Sequence, residues 1–490
     1  MKETKRRGMH VRKSELFIVP RKRENQPGRD PVEERESQKE EPLEGTMPRT
    51  PSLDHVLPKL QRIAKLAKEA PRMAFTTLAH HIDVELLHVA YQRTRKDGAA
   101  GVDGQTAADF EQNLDANLRS LEDRLKSGRY HASPVRRVHV HIPKGDGRTR
   151  PIGVPTFEDK VLQRAVMMVL EAIYEQDFLD CSYGFRPGRS AHDALEACWK
   201  GLMDLNGGWV VEIDIRSFFD HVDHSHIRKF LDQRVRDGVV RRVIDKWLNA
   251  GVHEEGATWF PDSGTPQGGV ISPLLANVYL HRVLDEWFET EVKPRLDGRC
   301  FLIRYADDAV MGFSNEEDAR LVMNTLPKRF GKYGLTLHTE KTQMIDFRRP
   351  LAKKSGSASF DLLGFTHFWG KSRKGNQVVQ RKTASPRFSH ALKRISEWCR
   401  ANRHRPVAEQ HDVLSQKLQG HYGYYGITGN MRGLTRFVHE VERTWRRWLD
   451  RRSSGRTMTW ERFRLVLRRY ALPRPRIVHS VYATAANPSV

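Results

Sequence analysis

The sequence predicts an α+β protein with a mixed core between two helical regions. Apolar residues recur at helix spacing from about residue 52 to 130, and again after about residue 385. Between these regions, alternating or continuous apolar runs predict strands at residues 135–143, 210–214 and 302–313, with helices between them. Strands and helices that alternate in the middle of a chain, with helices on both sides, are typical of an α+β core with added helical domains.

The 490-residue chain is strongly basic, and the positive charge is concentrated towards its end. It has 83 Lys and Arg against 61 Asp and Glu, which gives a formal net charge of +22. Residues 371–490 alone hold 26 Lys and Arg against 7 Asp and Glu. A large field of one sign favours polyanionic partners, whose phosphates contribute much of the affinity. A general role of the positive charge in solubility is the alternative.

Composition disfavours disulfide-rich, zinc-binding and membrane proteins. The four cysteines are far apart and form no C-x-x-C pair, so neither a disulfide framework nor a zinc module is expected. No apolar run approaches the roughly 18 residues of a membrane span, and no secretory segment follows the basic N-terminus. We therefore expect a cytoplasmic protein with no membrane partner.

Two segments place acidic residues at the ends of apolar strands. Asp214 ends the run Val210–Asp214, and Asp307 and Asp308 lie between two apolar runs. Unpaired carboxylates in such places would take up protons unless cations compensate them. A pair of Mg²⁺ ions is an economical compensation, because Mg²⁺ binds carboxylates together with substrate phosphates. Adjacent aspartates are also ordinary turn residues, so these residues alone leave both interpretations open.

Seven short motifs follow one another between Arg150 and Phe365. They are Arg150–Pro155, Tyr183–Ser190, Asp214–Asp220, Gly264–Pro273, Tyr305–Asp308, Gly334–Thr342 and Leu363–Phe365. In this order they resemble the motifs of reverse transcriptases encoded by group II introns, proteins that also act as maturases. The tetrapeptide Tyr305–Asp308 is similar to the polymerase centre of that family. The resemblance covers roughly residues 75–480.

The resemblance implies a right-hand polymerase, with fingers and a palm built on an antiparallel sheet, followed by an all-helical thumb or maturase domain. Residues 1–50 hold 13 basic, 10 acidic and one aromatic residue, so we expect them to form a disordered extension. The implied divisions are an N-terminal extension with fingers at 51–205, a palm with fingers-derived segments at 206–370, the thumb or maturase domain at 371–480, and a tail at 481–490.

The resemblance also implies roles for individual residues. Asp214, Asp307 and Asp308 would be catalytic and, together with Ile215, would hold two Mg²⁺ ions. Nucleotide and template contacts would come from Lys144 and Arg150 at the triphosphate, Phe219 beneath the sugar, Gln267 at nucleotide and template, and Lys341 at the leaving pyrophosphate. Taken singly, Phe219 is better explained by core packing, and the three basic residues by exposed positions.

The basic end of the chain resembles the maturase or thumb region of that family. Leu418–Gly426 is similar to its aromatic and glycine signature, and arginines alternate with tryptophans between residues 443 and 452. Basic residues with interleaved aromatics suit phosphate contact and base stacking. We nevertheless expect most of these aromatic side chains to form a helical core, with the arginines outward. No cysteine follows Cys399, as in the bacterial branch that lacks an endonuclease.

The implied function is RNA-directed DNA synthesis coupled to intron splicing and mobility. Its partners would be intron RNA, an RNA template, a DNA primer or target, and deoxynucleoside triphosphates. Two alternatives remain open: a maturase that binds RNA without polymerase activity, and a domesticated reverse transcriptase. An RNA virus polymerase is disfavoured, because its acidic hairpin usually begins with Gly-Asp-Asp.

Overall fold

The computed structural model describes residues 53–140, 150–260, 263–264, 268–350, 358–372, 374–452 and 458–480. The predicted disordered extension at 1–50 and the tail at 481–490 lie outside these residues. The α-helices of the described part are α1 Leu53–Glu69, α2 Val84–Arg93, α3 Ala107–Glu111, α4 Leu114–Lys126, α5 Phe157–Tyr174, α6 Ala191–Asp204, α7 His224–Asp232, α8 Gly238–Leu248, α9 Ser272–Leu280, α10 Glu316–Gly331, α11 Ser385–Ala401, α12 Val407–Tyr425, α13 Met431–Asp450 and α14 Trp460–Arg469. None of these helices is long and apolar enough to cross a membrane.

The strands form three sheets. They are β1 Val135–Val140, β2 Arg150–Val154, β3 Trp209–Ile213, β4 Val252–Glu254, β5 Ala257–Trp259, β6 Cys300–Tyr305, β7 Asp308–Phe313, β8 Gln343–Asp346, β9 Phe360–Leu362, β10 Phe365–Lys371 and β11 Gln377–Thr383. Mixed strands and helices in the middle of the chain, followed by helices alone, confirm the predicted α+β fold class.

The central sheet corresponds to the palm of the predicted polymerase fold. Its order is β6-β7-β3-β8, and every neighbouring pair is antiparallel. Both of its faces are covered, since Val211 packs into the large core with α5, α9 and α10 while Val210 packs with α6 and the β10–β11 hairpin. Burial on two faces explains why the successive residues Val210 and Val211 of β3 are both apolar and do not alternate with polar residues.

A second sheet, called the fingers sheet below, has the order β2-β1-β4-β5. Strand β1 pairs antiparallel with β2 and parallel with β4, where Val135 lies opposite Val252. The strand predicted at 135–143 is described as far as Val140, and the turn that follows it lies outside the described residues. This sheet places β2, which begins at Arg150, close to the loop that precedes α9.

Because of the third sheet, the helical region begins later in the chain than the predicted boundary. The hairpin of β10 and β11 pairs from Phe365 with Thr383 to Lys371 with Gln377. The predicted boundary between residues 370 and 371 therefore cuts through β10. Sheet structure continues to Thr383, and the helical region begins with α11 at Ser385.

Helices α11–α14 share a separate core in the thumb region. Trp445 is fully buried in it, Trp398 and Trp448 are half-buried against it, and Trp460 is 40% exposed. The expectation of a core formed by most of the aromatic residues holds for Trp445 and Trp448, whereas Trp460, outside that set, is largely at the surface. An arginine, Arg446, lies over the Trp460 ring at 4.6 Å, so this ring packs against a cation at the surface.

The residues after α14 fold back onto the helical region. The Tyr422 hydroxyl donates a hydrogen bond of 2.8 Å to the Pro473 carbonyl. The amides of Val478 and His479 donate to the Gly426 carbonyl at 2.7 and 2.9 Å. Ordered structure thus continues beyond the run of prolines and arginines at 473–477.

Candidate active site

Three acidic side chains come together at one end of the β3–β7 strand pair. Asp214 directly follows β3, Asp308 begins β7, and the pairing of Ile213 with Ala309 makes the two acids neighbours across the strands. Asp307 lies in the tight turn between β6 and β7. Residues almost a hundred positions apart therefore share one small region because antiparallel pairing fixes their register.

Charge repulsion also indicates that the three carboxylates are close. The Asp308 side chain is open to solvent, yet protein atoms crowd it on its other sides. This desolvation, with the negative charges of Asp307 and Asp214, raises the pKa of the Asp308 carboxyl to about 6. Arg387 and Lys341 act in the opposite direction without cancelling the effect. The site therefore disfavours a third full negative charge unless a cation joins it.

The turn that carries Asp307 has an unusual backbone conformation. Ala306 has a φ of 57°, in the left-handed region that residues with a β-carbon rarely adopt. Gly184 lies so close to this turn that a β-carbon there would collide with the backbone nitrogen of Ala306. The Gly184 carbonyl accepts a hydrogen bond of 2.8 Å from Nδ2 of the buried Asn277. The predicted motif Tyr183–Ser190 thus packs directly against the acidic turn.

A buried arginine anchors the same hairpin. Arg304 of β6 donates to both carboxylate oxygens of Asp285, at 2.7 and 2.5 Å, and both side chains are fully buried. Its other donors reach Oδ1 of Asn277 at 2.9 Å, the Ala306 carbonyl at 3.0 Å and Oγ of Ser182 at 2.7 Å. Every N–H of the guanidinium group is used in this way. The network ties the unusual turn to three other segments.

None of the sequence motifs pointed to this network as functional. The available signal was an arginine inside an apolar strand, two residues before the acidic pair. Its partner Asp285 lies 19 residues earlier, in a π-helical segment at His281–Asp285 that extends α9. Insertions of π-helix are frequent at functional sites, but their position cannot be read from composition.

The segment that precedes β8 fixes Asp214. The His338 amide donates to the Asp214 carbonyl at 2.8 Å, and the Asp214 amide donates to Oγ1 of Thr342 at 3.3 Å. Nζ of Lys341 lies 3.0 Å from Oδ2 of Asp214. The structure therefore places the predicted phosphate contact Lys341 directly on the first of the acidic residues, where its charge offsets that of the carboxylate.

Ile215, predicted as a backbone metal ligand, has a carbonyl that the neighbouring strand ladder does not use. It lies opposite Leu337, and the flanking hydrogen bonds run from His338 to Asp214 and from Arg216 to Thr336. In such a non-hydrogen-bonded pair, the peptide groups of the residue itself are directed away from its partner.

The donor atoms fit a hard divalent cation in chemistry, although the side chains are not assembled around one. Among the described residues, no group of three or more His, Cys, Asp or Glu side chains is arranged to hold a metal ion. Three carboxylates and a backbone carbonyl are nevertheless the oxygen donors that Mg²⁺ prefers. The raised pKa of Asp308 and the ammonium group of Lys341 on Asp214 both indicate that this cluster attracts positive charge.

A cavity of about 310 Å³ opens beside the acidic residues. Its lining includes Asp214, Asp308 and Lys341 on the palm side and Asp361, Leu362 and Leu363 around β9. Glu212 extends the acidic lining; it accepts hydrogen bonds from Nε2 of Gln343 at 2.5 Å and from the Asp361 amide at 3.2 Å. Burial raises the pKa of the Glu212 carboxyl. The predicted motif Leu363–Phe365 therefore contributes to the wall of the same cavity as the acids.

Phe219 lies in a short 3₁₀ turn, Phe218–Asp220, that begins after a left-handed Ser217 with a φ of 45°. Its ring is half-buried and meets the Phe218 ring edge-on, with 5.3 Å between the centroids. A β-carbon at Gly264 would lie 3.0 Å from the Phe219 carbonyl oxygen, so the glycine-rich loop passes directly over this backbone. Phe219 thus packs on the core and keeps part of its ring open beside the loop.

The same loop contacts the fingers sheet. Gly268 has a φ of 120°, and a β-carbon there would collide with the Gly153 carbonyl oxygen of β2. The amide of Val270 then donates to Oε1 of Gln163 at 2.8 Å. The loop Gly264–Pro273 therefore connects the Phe219 turn with β2.

Three predicted contacts cannot be placed by their side chains. Lys144 and Gln267 lie outside the described residues. Arg150 begins β2, paired with Val140, but its side chain is outside the described part of the chain. The nearest described residues, Gly264 and Gly268, nonetheless lie next to the Phe219 backbone and β2, as the preceding contacts show.

Comparisons with known proteins agree with this geometry. Residues 142–367 match the family described as reverse transcriptase (RNA-dependent DNA polymerase). The chain is 38% identical over 243 residues to the group II intron-encoded protein LtrA of Lactococcus lactis subsp. cremoris. The matched segment covers 49% of this chain and 39% of that protein. It is 41% identical over 184 residues to the protein YkfC of Escherichia coli (strain K12). That matched segment covers 37% of this chain and 48% of YkfC.

A more distant similarity extends to a plant protein. The chain is 29% identical over 177 residues to the nuclear intron maturase 2, mitochondrial, of Arabidopsis thaliana, which covers 28% of this chain and 24% of that protein. The chain thus spans less than half the length of each of these three relatives. The chain is thus similar to reverse transcriptases over residues 142–367, and to a protein encoded by a group II intron over 49% of its length.

Proposed function

We propose that this protein is an RNA-directed DNA polymerase that extends a DNA primer along an RNA template. The observation that carries the proposal is the convergence of Asp214 and Asp308 at the ends of two paired palm strands beside a cavity, with Asp307 in the adjoining turn. Template-directed synthesis requires acids that stay in fixed positions while the nucleic acid moves. Strand pairing and the Arg304 network supply that rigidity here.

We further propose that the acidic cluster holds two Mg²⁺ ions. Asp214 and Asp307 would be the principal ligands, with the Ile215 carbonyl as a backbone ligand and Asp308 contributing mainly through its charge. When bound, such ions stabilise the attacking and leaving oxygens of a nucleotidyl transfer. Lys341 would then leave Asp214 and place its ammonium group near the leaving pyrophosphate, as a source of positive charge.

The nucleotide would be held by residues around the loop over Phe219. Lys144 and Arg150 would bind the triphosphate, and Gln267 would contact the nucleotide and the template. Phe219 would lie beneath the sugar, where a ring excludes a 2′-hydroxyl by its size. The contact of Gly264 with the Phe219 backbone and of Gly268 with β2 supports this grouping, because it brings these segments together.

We propose that the helical thumb binds intron RNA and so assists splicing and intron mobility. The Trp448 patch, formed by Arg447, Trp448 and Arg451, is the clearest candidate surface. The two guanidinium groups lie 5.7 and 5.0 Å from the centre of the Trp448 ring, and both arginines are exposed. Stacked cations and rings suit contact with phosphates and unpaired bases.

A primer-extension experiment tests the polymerase proposal. The chain, a DNA primer annealed to an RNA template, deoxynucleotides and Mg²⁺ should give elongated DNA. Asp307→Ala should abolish elongation and leave the affinity for RNA unchanged. Asp346→Ala is the matched control, because Asp346 lies at the other end of the same sheet, where its carboxylate pairs with the exposed Arg348 at 2.6 Å. An equal loss in both variants would contradict the assignment of the acidic site.

A maturase that binds intron RNA without polymerising is the second candidate. It is favoured by the ion pair of Lys341 with Asp214. Splicing of the cognate intron without any elongation, over a broad range of Mg²⁺ concentration, would select this alternative.

A further inference from the structure

Phe185 has a conformation and an exposure that folding alone does not explain. Its φ is 59°, in the left-handed region that an aromatic residue rarely adopts. Its side chain is 49% exposed, so the ring gains little from burial in return. Glycine or asparagine would fit this backbone with less strain. Strained positions of this kind are a recognised starting point for assigning function.

The residues on both sides of Phe185 are held firmly. Gly184 packs against Ala306 of the acidic turn and accepts a hydrogen bond from Asn277. The buried Arg186 donates to the carbonyls of Leu179 and Ser182 at 2.8 and 2.9 Å, and also pairs with Glu175 at 3.0 Å. Tight anchoring on both sides leaves the backbone of Phe185 little freedom. The backbone that carries the ring is therefore held in a fixed place, one residue from the contact with the acidic turn.

We infer that Phe185 stacks on the template base that pairs with the incoming nucleotide. This inference rests on the proposed polymerase function. In the assignments above, the acidic residues act at the primer end and the basic residues bind the triphosphate. Phe219 contacts the sugar. None of them supplies a flat apolar surface for the base being copied. An exposed ring beside the acidic turn fits that remaining part of the reacting assembly.

Stacking also fits what a template contact has to achieve. A polymerase must accept each of the four template bases, so its contact with the base cannot depend on one pattern of hydrogen bonds. Every base has a π-face, and an aromatic ring therefore stacks on all of them. A rigid backbone restricts where the ring can lie before the template arrives, which reduces the entropy lost on binding.

Replacing Phe185 by asparagine separates the role of the ring from its effect on folding. Asparagine tolerates the left-handed backbone, so the melting temperature of Phe185→Asn should equal or exceed that of the wild type. Its kcat/KM for single-nucleotide addition should fall about tenfold, the size expected for one lost stacking contact. Phe185→Tyr should retain near-normal activity. Leu321→Asn, which removes an apolar side chain that is 56% exposed on α10, should change neither quantity.

The template strand provides the decisive comparison. With an abasic nucleotide at the templating position, wild type and Phe185→Asn should add a nucleotide at the same reduced rate. A tenfold difference that persists on the abasic template would overturn the inference and would place the ring on another part of the nucleic acid. Unchanged kcat/KM of Phe185→Asn on a normal template would overturn it as well.

A binding measurement keeps this inference separate from the polymerase proposal. The fluorescence of 2-aminopurine at the templating position should be quenched more strongly by the wild type than by Phe185→Asn, even in Ca²⁺ with no synthesis. Equal quenching by the two proteins would contradict stacking, whether or not the chain elongates primers. Quenching by the wild type with no elongation in Mg²⁺ would instead contradict the polymerase proposal alone.

Discussion

Asp308 combines exposure to solvent with a pKa of about 6, well above the ordinary value of 3.8 for aspartate. Desolvation and the neighbouring charges of Asp307 and Asp214 cause this shift, so the ionised form is disfavoured in the folded chain. A carboxyl group whose pKa is raised on folding destabilises the folded state at pH values above that pKa. The effect disappears below about pH 4, where the group is protonated in both states.

Asp308→Asn should therefore stabilise the metal-free protein at pH 8. The expected gain in the free energy of unfolding is on the order of 1 kcal/mol, reduced from the full effect of the pKa shift by solvent screening. The gain should shrink between pH 6 and pH 4, as wild-type Asp308 takes up its proton. Chemical denaturation across this pH range measures it. A gain that is constant with pH would mean that repulsion among the three acids is not its cause.

Individual residues also show how far the sequence alone reaches. Asp214, Asp307 and Asp308 could be marked as candidates because they follow apolar runs, whereas Phe219 could be singled out only by the resemblance to a known family. Asp285 could not be located as the partner of Arg304, because a buried ion pair across 19 residues leaves no periodic signal. Phe185 was part of a predicted motif, but its left-handed backbone and its exposure are visible only in three dimensions.

At the scale of elements, the β6–β7 hairpin depends on contacts outside itself. The predicted strands and turn are confirmed, since alternation and turn residues determine them locally. Its anchoring by Arg304 and its packing on Gly184 are long-range. The β10–β11 hairpin shows the opposite case, because the predicted domain boundary cut through a strand whose pairing continues to Thr383.

Arg304→Met should destabilise the protein strongly, because it leaves the buried Asp285 carboxylate without its partner. A loss of about 3–5 kcal/mol in the free energy of unfolding is expected. The double variant Arg304→Met with Asp285→Leu should recover much of this loss and yet retain low polymerase activity, because the acidic turn stays unanchored. Urea denaturation and primer extension on the same preparations measure both effects. Full recovery of activity in the double variant would contradict a positioning role for Arg304.

Gly184→Ala should displace the acidic turn, because the added β-carbon would collide with the backbone of Ala306. The rate of nucleotide addition should fall about a hundredfold, the usual consequence of a misplacement near 1 Å. Far-ultraviolet circular dichroism should show that the fold is retained. Gly331→Ala is the control, because open space surrounds this glycine at the end of α10. Equal rates in the two variants would show that the close packing at Gly184 is not needed.

At the scale of the whole molecule, the chain combines an acidic cleft with a strongly basic helical region. The formal charge of +22 and the arginines of the thumb predict affinity for RNA that falls with salt concentration. The basic segment was visible in the sequence because charge needs no structure to be counted. Which aromatic rings remain exposed was not visible, as Trp460 shows, because helical spacing does not specify how neighbouring helices cover a face.

Replacing Arg447 and Arg451 of the Trp448 patch by glutamine should weaken intron RNA binding. The slope of log affinity against log salt should become shallower by about one unit for each arginine that contacts a phosphate. Arg320→Gln is the matched control, because Arg320 is exposed on α10 and pairs with Glu316 at 2.5 Å. Filter binding at several salt concentrations gives the slopes. The same slope for wild type and the double variant would exclude this patch as the RNA surface.

The central claim is that Asp214, Asp307 and Asp308 together catalyse DNA synthesis on RNA. Single-nucleotide addition to a DNA primer on an RNA template, followed over a Mg²⁺ titration, tests it most directly. We predict rapid addition of a deoxynucleotide by the wild type, and no detectable addition by Asp214→Asn or Asp307→Asn at any Mg²⁺ concentration. Addition by either variant at the wild-type rate, or none by a folded, RNA-binding wild type, would contradict the claim.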